Sequence, residues 1–553
     1  MSTLRNISRL ADVATVLARN GFADLAARLD LPGWKPGGRH LAAEKLARRY
    51  SVGARLRMVA EDLGPTFVKL GQLVSLRPDL LPKELVLELR LLQDRVTPEP
   101  YAAILDAVHK SLGRPLDETF SDFSTEPLAS ASLAQVHRAR RRDDGRWVAV
   151  KVRRPGILTV VEADLALLAA LARTLHQRVD HLKPYNLPEL VQEITLHLRQ
   201  EMDFSLEARH MQTARAHQGP RPGLDIPAPH PDLCCPSLLT MDLVVGSRLE
   251  DAALTPAQKR TLARQLAAAI LEQVLKHGFF HADPHPGNIL VQTSGEAPRL
   301  ALLDWGLVGR LTPKMRFLLG DMLVAVVDRE PLDLVRAMQA MGAAPSSGDS
   351  TALVHDVEEM LERVHSVPLH QIDTSALILD LMDLLRVHHL KMQPQYALLD
   401  KAFLEMEGLA RELDPDFDAV EVARPLVGSL WLERWRPDVV YKLVRRHLRE
   451  GLDLLKDLPG RLDHLLGMLE HGEMSMEFKH KGLVPLTKAI QDSSNRVTMG
   501  LIVAALIVGS SMIITTGVEP KIFGLPALGL IGYLFSGIAG LWLVWSIFRS
   551  GRF

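Results

Sequence analysis

Apolar residues recur at helical spacing along most of the chain, so the sequence predicts a mainly helical protein. One helix is predicted to begin at Thr255 and to end at Gly278, because both residue types are common helix boundaries. Its apolar face consists of Leu262, Leu266, Ile270 and Val274. Residues 317–480 continue as helical segments that are broken at four prolines, namely Pro331, Pro345, Pro368 and Pro394.

A short run of β-favouring residues surrounds Lys151 and predicts a strand from Trp147 to Val152. The run is broken by Arg153-Arg154-Pro155-Gly156, which ends the predicted strand. The chain therefore combines many helices with a few strands, which is the pattern of an α+β protein.

Two long apolar runs lie near the end of the sequence, at residues 497–518 and 522–548. Each is long enough to cross a hydrocarbon layer of about 30 Å as a helix, and only Glu519, Pro520 and Lys521 separate them. The pattern predicts a two-helix membrane hairpin, with a hairpin buried in a soluble domain as the alternative. Lysine and arginine on both outer flanks place those flanks in the cytoplasm.

Small residues lie at four-residue spacing in both runs, and such spacing allows helices to approach closely. They are Ala505 and Gly509 in the first run, and Gly532, Ser536 and Gly540 in the second. The close contact lies within the hairpin or between two copies, so a homodimer is left open. Ordinary membrane-helix composition is the alternative.

Residues 1–31 form an amphipathic pattern, which predicts a helix that lies on the membrane or caps the soluble part of the chain. A cleaved organelle transit peptide is the alternative. Such peptides rarely carry acids, and Asp12, Asp24 and Asp30 argue against this alternative. We expect no secretory signal here.

Composition narrows the class of protein. The 553 residues carry 65 Lys and Arg against 66 Asp and Glu, so the formal net charge of −1 gives no reason to expect a nucleic-acid partner. The two cysteines, Cys234 and Cys235, are adjacent and cannot build a disulfide framework. A reducing compartment is therefore the simpler expectation.

The most specific chemical pattern is His281-Ala282-Asp283-Pro284-His285-Pro286-Gly287-Asn288, followed by Asp304-Trp305-Gly306. Kinase catalytic loops have this Asp-to-Asn spacing and are followed by a metal-binding Asp-x-Gly. Asn288 and Asp304 are suitable oxygen ligands for Mg²⁺, and Asp283 is placed to orient or deprotonate an attacking water or hydroxyl.

Two alternatives compete with this interpretation. The first is a Pro- and Gly-rich loop that carries its acids by chance. The second is a zinc site on His281 and His285, with His277 as a third ligand. Pro284 and Pro286 argue against the helix that would place the imidazole rings on one face.

A kinase-type site also needs a lysine on an upstream strand, and Lys151 supplies it. We expect Lys151 to contact the α and β phosphates of a nucleotide. An acid on the following helix should align it, either Glu207 or Glu201, and the sequence alone does not separate these two. Met241 and Asp242 lie where a hinge to the adenine ring is expected.

A further helix begins at Pro65 and puts Lys69, Gln72 and Leu76 on one face. From periodicity alone, a surface helix with a solvated polar stripe explains it equally well. A richer pattern extends beyond this face, with Lys69-x-Gly71-Gln72 followed by Ser75, Arg77, Asp79, Leu81 and Pro82.

This pattern resembles the UbiB-type atypical kinase-like family. Further matches are an Ala/Ser loop at residues 129–136, Lys151, the catalytic loop and the segment Glu201-x-Asp203-Phe204-x-x-Glu207-Ala208. That family is linked to ubiquinone biosynthesis. The resemblance covers residues 50–311, and the terminal hairpin resembles the family's bacterial branch. One departure is His210, where the family usually has an asparagine.

The Ala/Ser loop takes the place of the glycine-rich loop that covers the phosphates in kinases. It keeps the backbone N–H donors, but a Cβ at Ala129 and Ala131 restricts the backbone. The resemblance implies altered nucleotide preference, suppressed protein phosphorylation and a slow ATPase that membrane lipid and phenolic quinone precursors stimulate. The candidate nucleotide-binding residues of this loop are Ala129, Ser130, Ala131, Ser132, Leu133, Ala134, Gln135 and Val136.

The resemblance also implies a role for the further helix. Lys69, which we group with Lys151 and Asp283 as catalytic candidates, and Gln72 would reach toward Glu201 and Asp203. They would close the site where a protein substrate would otherwise lie.

The expected architecture is a mostly helical α+β fold with the two lobes of a protein kinase. We expect a helical extension at 1–112, a small lobe at 113–245, a helical large lobe at 246–485 and a two-helix membrane hairpin at 497–548.

Three functions are compatible with these features. The first is a membrane-anchored ATPase that extracts or presents quinone precursors to ubiquinone-biosynthesis enzymes, with Mg²⁺ and ATP or ADP bound. The second is a protein or small-molecule kinase, and the third is a nucleotide-gated scaffold without essential turnover. The expected partners are a lipid bilayer and quinone precursors. The bacterial inner membrane is the preferred location, with the soluble part in the cytoplasm, and the mitochondrial inner membrane is the alternative.

Overall fold

The computed structural model divides the chain into two compact units, Met1–Leu443 and Val444–Phe553. It describes residues 2–22, 49–75, 81–92, 96–179, 183, 186–219, 223–293, 297–341, 351–365, 374–388, 390, 393–437, 441, 445, 483–517, 519–522 and 525–549. The predicted class is confirmed, because helices dominate these residues and small sheets accompany them.

Within the described residues, six helices precede the first strand of the first unit. They are α1 (Ser2–Arg19), α2 (Val52–Leu63), α3 (Pro65–Val74), α4 (Lys83–Arg90), α5 (Tyr101–Leu112) and α6 (Leu116–Thr119). Val13 on α1, Phe67 on α3 and Leu89 on α4 share one apolar cluster, so α1 covers the other extension helices. Arg77 and Asp79 of the family pattern lie outside the described residues.

An antiparallel sheet in the order β1-β2-β3-β5 forms the small lobe. Its strands are β1 (Phe120–Ser130), β2 (Ala134–Arg141), β3 (Trp147–Arg153) and β5 (Leu238–Asp242). Val148, Val150 and Val152 pack against α5 on one face. Because side chains alternate along a strand, Ala149 and Lys151 lie on the opposite face.

Three helices follow β3, namely α7 (Ile157–Arg178), α8 (Leu187–Glu201) and α9 (Phe204–Gln218). The side chain of Asp203 accepts a hydrogen bond from the backbone N–H of Ser205 and so caps α9 at its start. This cap fixes the turn between Glu201 at the end of α8 and Glu207 in the first turn of α9.

The large lobe begins with α10 (Pro256–Glu272), which Thr255 and Gln258 start with a capping box. The helix continues as a π-helical turn, Gln273–His277, and ends at Gly278, which has a φ of 62°. The predicted helix from Thr255 to Gly278 is therefore confirmed. Its end feeds directly into the strand that precedes the catalytic loop.

Short strands carry the catalytic loop and the Asp304 segment. They are β4 (Leu224–Asp225), β6 (Ser247–Arg248), β7 (Phe279–His281), β8 (Ile289–Gln292), β9 (Arg299–Leu302) and β10 (Val308–Arg310). One sheet has the order β4-β9-β8-β6, and β7 pairs with β10. Since Ile289 pairs with Leu302, the β8–β9 hairpin brings Asn288 close to the segment that carries Asp304.

The described part of the first unit continues with α11 (Pro313–Asp328), α12 (Pro331–Ala340), α13 (Thr351–His365), α14 (Thr374–Val387), α15 (Pro394–Leu413) and α16 (Ala419–Arg434). Pro331 and Pro394 stand at helix starts, as predicted, whereas Pro345 and Pro368 lie outside the described residues. Helix α15 joins two apolar clusters, because Leu399 and Ala402 belong to one and Met406 and Leu409 to the other.

The second unit contains a helical hairpin of α17 (Leu483–Thr516) and α18 (Ala527–Arg549). The described part of the chain contains one helix that is long and apolar enough to cross a membrane, Ser493–Thr516, and a shorter apolar stretch at Ala527–Leu543. The prediction that the second helix begins at 522 is wrong. Residues of that segment form β11 (Lys521–Ile522) and β12 (Leu525–Pro526), because the chain reverses direction there.

Small residues bring the two hairpin helices together. A Cβ added to Gly532 would lie 2.1 Å from Oγ of Ser510, and the side chains of Ser510 and Ser536 are buried. Gly509, which the sequence also suggested as a contact, has no atom within 4 Å of its added Cβ. The close contact within the hairpin therefore uses Ser510 rather than Gly509.

We predict opposite effects for two Gly→Ala substitutions in the first unit. A Cβ at Gly309 would lie 2.0 Å from Cζ of Phe280, whose side chain is fully buried, so Gly309→Ala should destabilise the fold by about 1–3 kcal/mol. Gly408, on the exposed face of α15, has open space around it, and Gly408→Ala should stabilise by about 0.5–1 kcal/mol. Thermal unfolding of the full-length chain in detergent measures both, and equal melting temperatures for the two variants would contradict the packing described here.

Candidate functional site

Lys151 forms the centre of the site because its ammonium group contacts two carboxylates. Its Nζ donates to Oε2 of Glu207 at 2.8 Å and to Oδ2 of Asp304 at 2.9 Å. Of the two acids that the sequence left open, Glu207 is thus the one that the structure places against Lys151. The backbone N–H groups of Trp305 and Gly306 donate to Glu207 and Asp304, respectively, and hold both carboxylates in place.

The pKa values in this group reflect burial and charge. Burial would lower the pKa of Lys151, but Asp304 and Glu207 outweigh it and the pKa is raised. Burial and the Asp304 carboxylate raise the pKa of Glu207 to about 7 against the opposing effect of Lys151. Burial would raise the pKa of Asp304, but Lys151 and the N–H of Gly306 hold it well below its ordinary value. Asp304 therefore remains ionised, as a metal ligand must be.

Lys69 on α3 pairs with Glu201 at the end of α8, at 2.6 Å. Its charge also contributes to lowering the pKa of Asp304, so the extension helix brings a second ammonium group to the site. Among the described residues, Gln72 has no hydrogen bond to Glu201 or Asp203. Its amide donates instead to the backbone carbonyl of Leu92 at 3.0 Å, because this face of α3 turns toward the segment after α4.

The catalytic loop is held by its own backbone. The side chain of Asn288 donates from Nδ2 to the backbone carbonyl of Asp283 at 3.2 Å. The backbone carbonyl of Asn288 accepts from the N–H of Leu303 at 2.9 Å. His281 is fully buried, and its Nδ1 accepts from the N–H of Asp283. Burial lowers the pKa of His281 to about 4, so the ring is neutral and supports the loop. The loop thereby fixes Asp283 beside Asn288.

Lys401 on α15 contacts Asp283 of the catalytic loop, and no sequence motif pointed to this lysine. Its Nζ lies 2.6 Å from Oδ1 of Asp283. Burial would raise the pKa of Asp283, but Lys401 outweighs burial and the pKa is lowered. Residues 283 and 401 are far apart in sequence, so the contact depends on the packing of α15.

Oxygen ligands suited to Mg²⁺ are present in Asp304 and in the side-chain carbonyl of Asn288. Mg²⁺ is usually coordinated by one or two protein oxygens together with substrate phosphates, and this pair of side chains could supply those protein oxygens. Within the described ranges, no group of three or more His, Cys, Asp or Glu side chains is placed to hold a metal ion. The alternative zinc site on His277, His281 and His285 is therefore not supported, and the ring of His277 stacks on His217 instead.

The Ala/Ser loop is fastened by Arg154, which also escaped the sequence analysis. The guanidinium group donates to the carbonyl of Ala131 at 2.8 Å and to Oγ of Ser130 at 2.7 Å. On its other side it donates to the carbonyl of Thr97 and pairs with Glu99, each at 2.8 Å. One buried arginine thus ties the loop to the segment before α5.

The rest of the loop is tightly packed. Ala131 donates to the carbonyl of Ala134 at 2.9 Å, which closes the turn, and Leu133 is buried. Gln135 accepts from the N–H of Glu99 at 2.7 Å. Ala129 is exposed, whereas Ser132 is buried and its hydroxyl has no hydrogen-bond partner in the described part of the chain.

Val136 lies opposite Lys151 in the β2–β3 ladder, so the loop leads directly to the lysine. At the hinge, Met241 is buried opposite Ala149, while the carboxylate of Asp242 pairs with His230 at 3.0 Å. His210, the departure from the family pattern, donates from Nδ1 to the carbonyl of Trp305 at 3.0 Å. It therefore supports the Asp304 segment from α9.

Asp400, next to Lys401 on α15, is a buried carboxylate near the site. It is 4% exposed, and Nη2 of Arg90 on α4 lies 3.7 Å from its Oδ2. Neither carboxylate oxygen has a hydrogen bond among the described residues. Burial raises the pKa of Asp400 to about 7, against the opposing charge of Arg90.

Comparison with known families matches three segments of the chain. Residues 91–338 match the ABC1 atypical kinase-like domain, residues 357–418 the UbiB helical domain, and residues 481–549 the ABC1/UbiB kinase-like C-terminal domain. Lys151, Asp283 and Asp304 lie in the first segment and Lys401 in the second.

Several proteins are similar over most of their length. A "Probable protein kinase UbiB" from Cellvibrio japonicus is 35% identical over 77% of this chain and 78% of its own length. Another protein of the same description, from Pseudomonas putida, is 32% identical over 97% of this chain and 98% of its own length. An "Uncharacterized protein in hydrogenase 1 5'region" from Clostridium pasteurianum is 27% identical over 99% of both chains.

We predict that Arg154→Met releases the Ala/Ser loop. Without the guanidinium group, the amides of residues 129–134 and of 97–99 should exchange hydrogen faster, since both segments lose a shared hydrogen-bond donor. Exchange followed by mass spectrometry on the full-length chain measures this. Arg146→Met, at an exposed arginine on the β2–β3 turn, is the matched control, and unchanged exchange in Arg154→Met would show that Arg154 does not hold the loop.

We predict a pH-dependent effect for Asp400→Asn. The folded pKa of about 7 is above the ordinary value of 3.8, so protonated Asp400 favours folding at low pH and this contribution is lost as pH rises through 7. The variant should therefore be more stable than the wild type at pH 8.5, by on the order of 2 kcal/mol, and should lose that advantage at pH 5. Thermal unfolding at both pH values tests this against Asp416→Asn, an exposed control, and a pH-independent difference would refute it.

Proposed function

This chain belongs to the ABC1/UbiB atypical kinase-like family, and from that premise we propose that it is a membrane-anchored ATPase that supports ubiquinone biosynthesis. The observation that carries the proposal is the contact of Lys151 with both Glu207 and Asp304. A kinase-type site needs this lysine aligned by a helix acid beside the metal-binding aspartate. Two relatives carry the description "Probable protein kinase UbiB", which supports a kinase-type site and the link to ubiquinone biosynthesis.

In this proposal each residue has a defined task during hydrolysis. Lys151 binds the α and β phosphates, and the loop from Ala129 to Val136 covers the phosphates with its N–H groups and the Ser132 hydroxyl. Asn288 and Asp304 would hold Mg²⁺, which neutralises phosphate charge when it is bound. Asp283 orients a water whose oxygen bonds to the γ-phosphorus while the bond to the β–γ bridging oxygen breaks. The water proton passes to Asp283.

Hydrolysis is favoured over protein phosphorylation by two contacts. Lys69 and Glu201 form an ion pair from α3 to α8 that would occupy the place of a protein substrate. Arg154 ties the Ala/Ser loop to the segment before α5, which limits the loop movement that a bulky acceptor would require. Water, in contrast, needs little space. A protein or small-molecule kinase is the second candidate, and the intact set of Lys151, Asp283 and Asp304 supports it equally.

The membrane part of the proposal is supported by the apolar helix Ser493–Thr516 and by the match of the hairpin region to the family's C-terminal domain. The hairpin would hold the chain at a bacterial inner membrane, where quinone precursors dissolve. Nucleotide turnover would then help to extract or present these precursors to ubiquinone-biosynthesis enzymes. A homodimer through the hairpin is compatible with this function.

We predict that phosphate release from Mg-ATP by the purified full-length chain increases several-fold with anionic liposomes and phenol, used as a mimic of the precursor ring. Asp304→Asn should lower the release by about 100-fold or more. The neutral amide would hold Mg²⁺ poorly, so the phosphate charge would no longer be neutralised. Asp251→Asn, an exposed change of the same chemistry, should match the wild type.

Two results would count against the proposal. Release that liposomes and phenol leave unchanged would remove the proposed link between ATP hydrolysis and the membrane or its quinone precursors. Transfer of labelled phosphate to the chain or to an added acceptor, at a rate above release, would favour the kinase instead.

A further inference from the structure

The catalytic loop contributes no permanent positive charge of its own. Residues 281–288 contain two histidines and neither lysine nor arginine. His281 is buried and neutral, and Nδ1 of His285 accepts from the N–H of Gly287 at 2.8 Å, so both rings are committed to the shape of the loop. Phosphoryl transfer, however, places negative charge on the γ-phosphate oxygens next to the catalytic aspartate. A side-chain cation beside Asp283, in addition to any bound Mg²⁺, therefore has to come from another element.

Lys401 is the cation that the fold brings to this point. Its Nζ lies 2.6 Å from Oδ1 of Asp283, and the two side chains are 16% and 28% exposed, respectively. The pair is therefore close to solvent and accessible to a ligand. Lys151 and Lys69 pair with carboxylates elsewhere in the site, namely Glu207, Asp304 and Glu201.

Helix α15 holds Lys401 in a rigid position. Ala402 and Leu399, beside it in sequence, pack in one apolar cluster, and Met406 and Leu409 pack in another. Because α15 is packed on both sides of Lys401, the ammonium group needs to move little when negative charge develops beside it. A lysine also has three N–H donors, so one can remain on Asp283 while others turn to a phosphate.

We propose that Lys401 is a catalytic residue that contacts the γ-phosphate of the bound nucleotide. The proposal rests on the proposed function, since it assumes that Asp283 faces the γ-phosphate. Lys401 stabilises the charge that accumulates on the γ-phosphate oxygens while the water oxygen bonds to phosphorus and the bond to the ADP oxygen breaks. It exchanges no proton in this step, and Asp283 takes the water proton.

A purely structural ion pair makes a different prediction. If Lys401 only tethers α15 to the catalytic loop, its loss disturbs the site for any nucleotide. If Lys401 contacts the γ-phosphate, its loss lowers the affinity for ATP and leaves the affinity for ADP unchanged, because ADP has no γ-phosphate. The ratio of the two affinities therefore separates the two roles.

The test compares the full-length wild type with Lys401→Met and Lys401→Arg, with Lys259→Met as the control at an exposed lysine on α10. Calorimetry in detergent gives the Kd of a non-hydrolysable Mg-ATP analogue and of Mg-ADP, and a phosphate assay gives the release rate. For Lys401→Met we expect about 10-fold weaker binding of the analogue, unchanged binding of ADP and about 100-fold slower release. Lys401→Arg should recover most of the affinity for the analogue, and Lys259→Met should match the wild type.

Equal weakening of both nucleotides in Lys401→Met, or no change in either, would overturn the proposal. If Lys401→Met fails to fold because Asp283 is left without its partner, the double variant with Asp283→Asn removes both charges, and its ratio of analogue to ADP affinity decides in the same way. A wild type that binds both nucleotides but releases no phosphate would end the proposed ATPase function. The affinity ratio would still decide whether Lys401 contacts the γ-phosphate.

Discussion

The ammonium group of Lys151 stands between Glu207, on a small-lobe helix, and Asp304, on a large-lobe segment. Two carboxylates close together would repel each other, and the lysine between them makes the arrangement stable. Each charge in such a partly buried group depends on the others, because removal of one leaves an uncompensated charge in a poorly solvated place. This contact holds the helix acid Glu207, the strand lysine and Asp304 in fixed relative positions. The rest of the site is arranged around it.

The N-terminal extension adds two further constraints to the same site. Lys69 reaches Glu201, and the segment before α5 receives Arg154 through Thr97 and Glu99. The rigidity of the Ala/Ser loop therefore has two origins. Alanine in place of glycine restricts the backbone locally, and the arginine fixes the loop to a segment more than twenty residues earlier. Ordinary kinase loops need freedom to open over the phosphates, so this double restraint fits a site that handles a small acceptor.

Helix α15 links the helical domain to the catalytic loop. Two adjacent residues on it face different partners, since Lys401 contacts Asp283 of the catalytic loop and Asp400 lies near Arg90 of the extension. A single helix thereby connects the catalytic loop with the helices that precede the small lobe. Both halves of α15 are packed in apolar clusters, and this packing holds the two contacts in position.

The amino-acid sequence alone was sufficient for the features that depend on short spacing. The Asp283-to-Asn288 interval, the strand around Lys151, the helix from Thr255 to Gly278 and the apolar hairpin all result from residues that are neighbours along the chain. The choice between Glu207 and Glu201, the hydrogen bond of Gln72 to Leu92, and the roles of Arg154 and Lys401 were decided only by the tertiary structure. These contacts join side chains that are distant in sequence, and a periodic pattern carries no information about which charged side chain packing will bring to a given carboxylate.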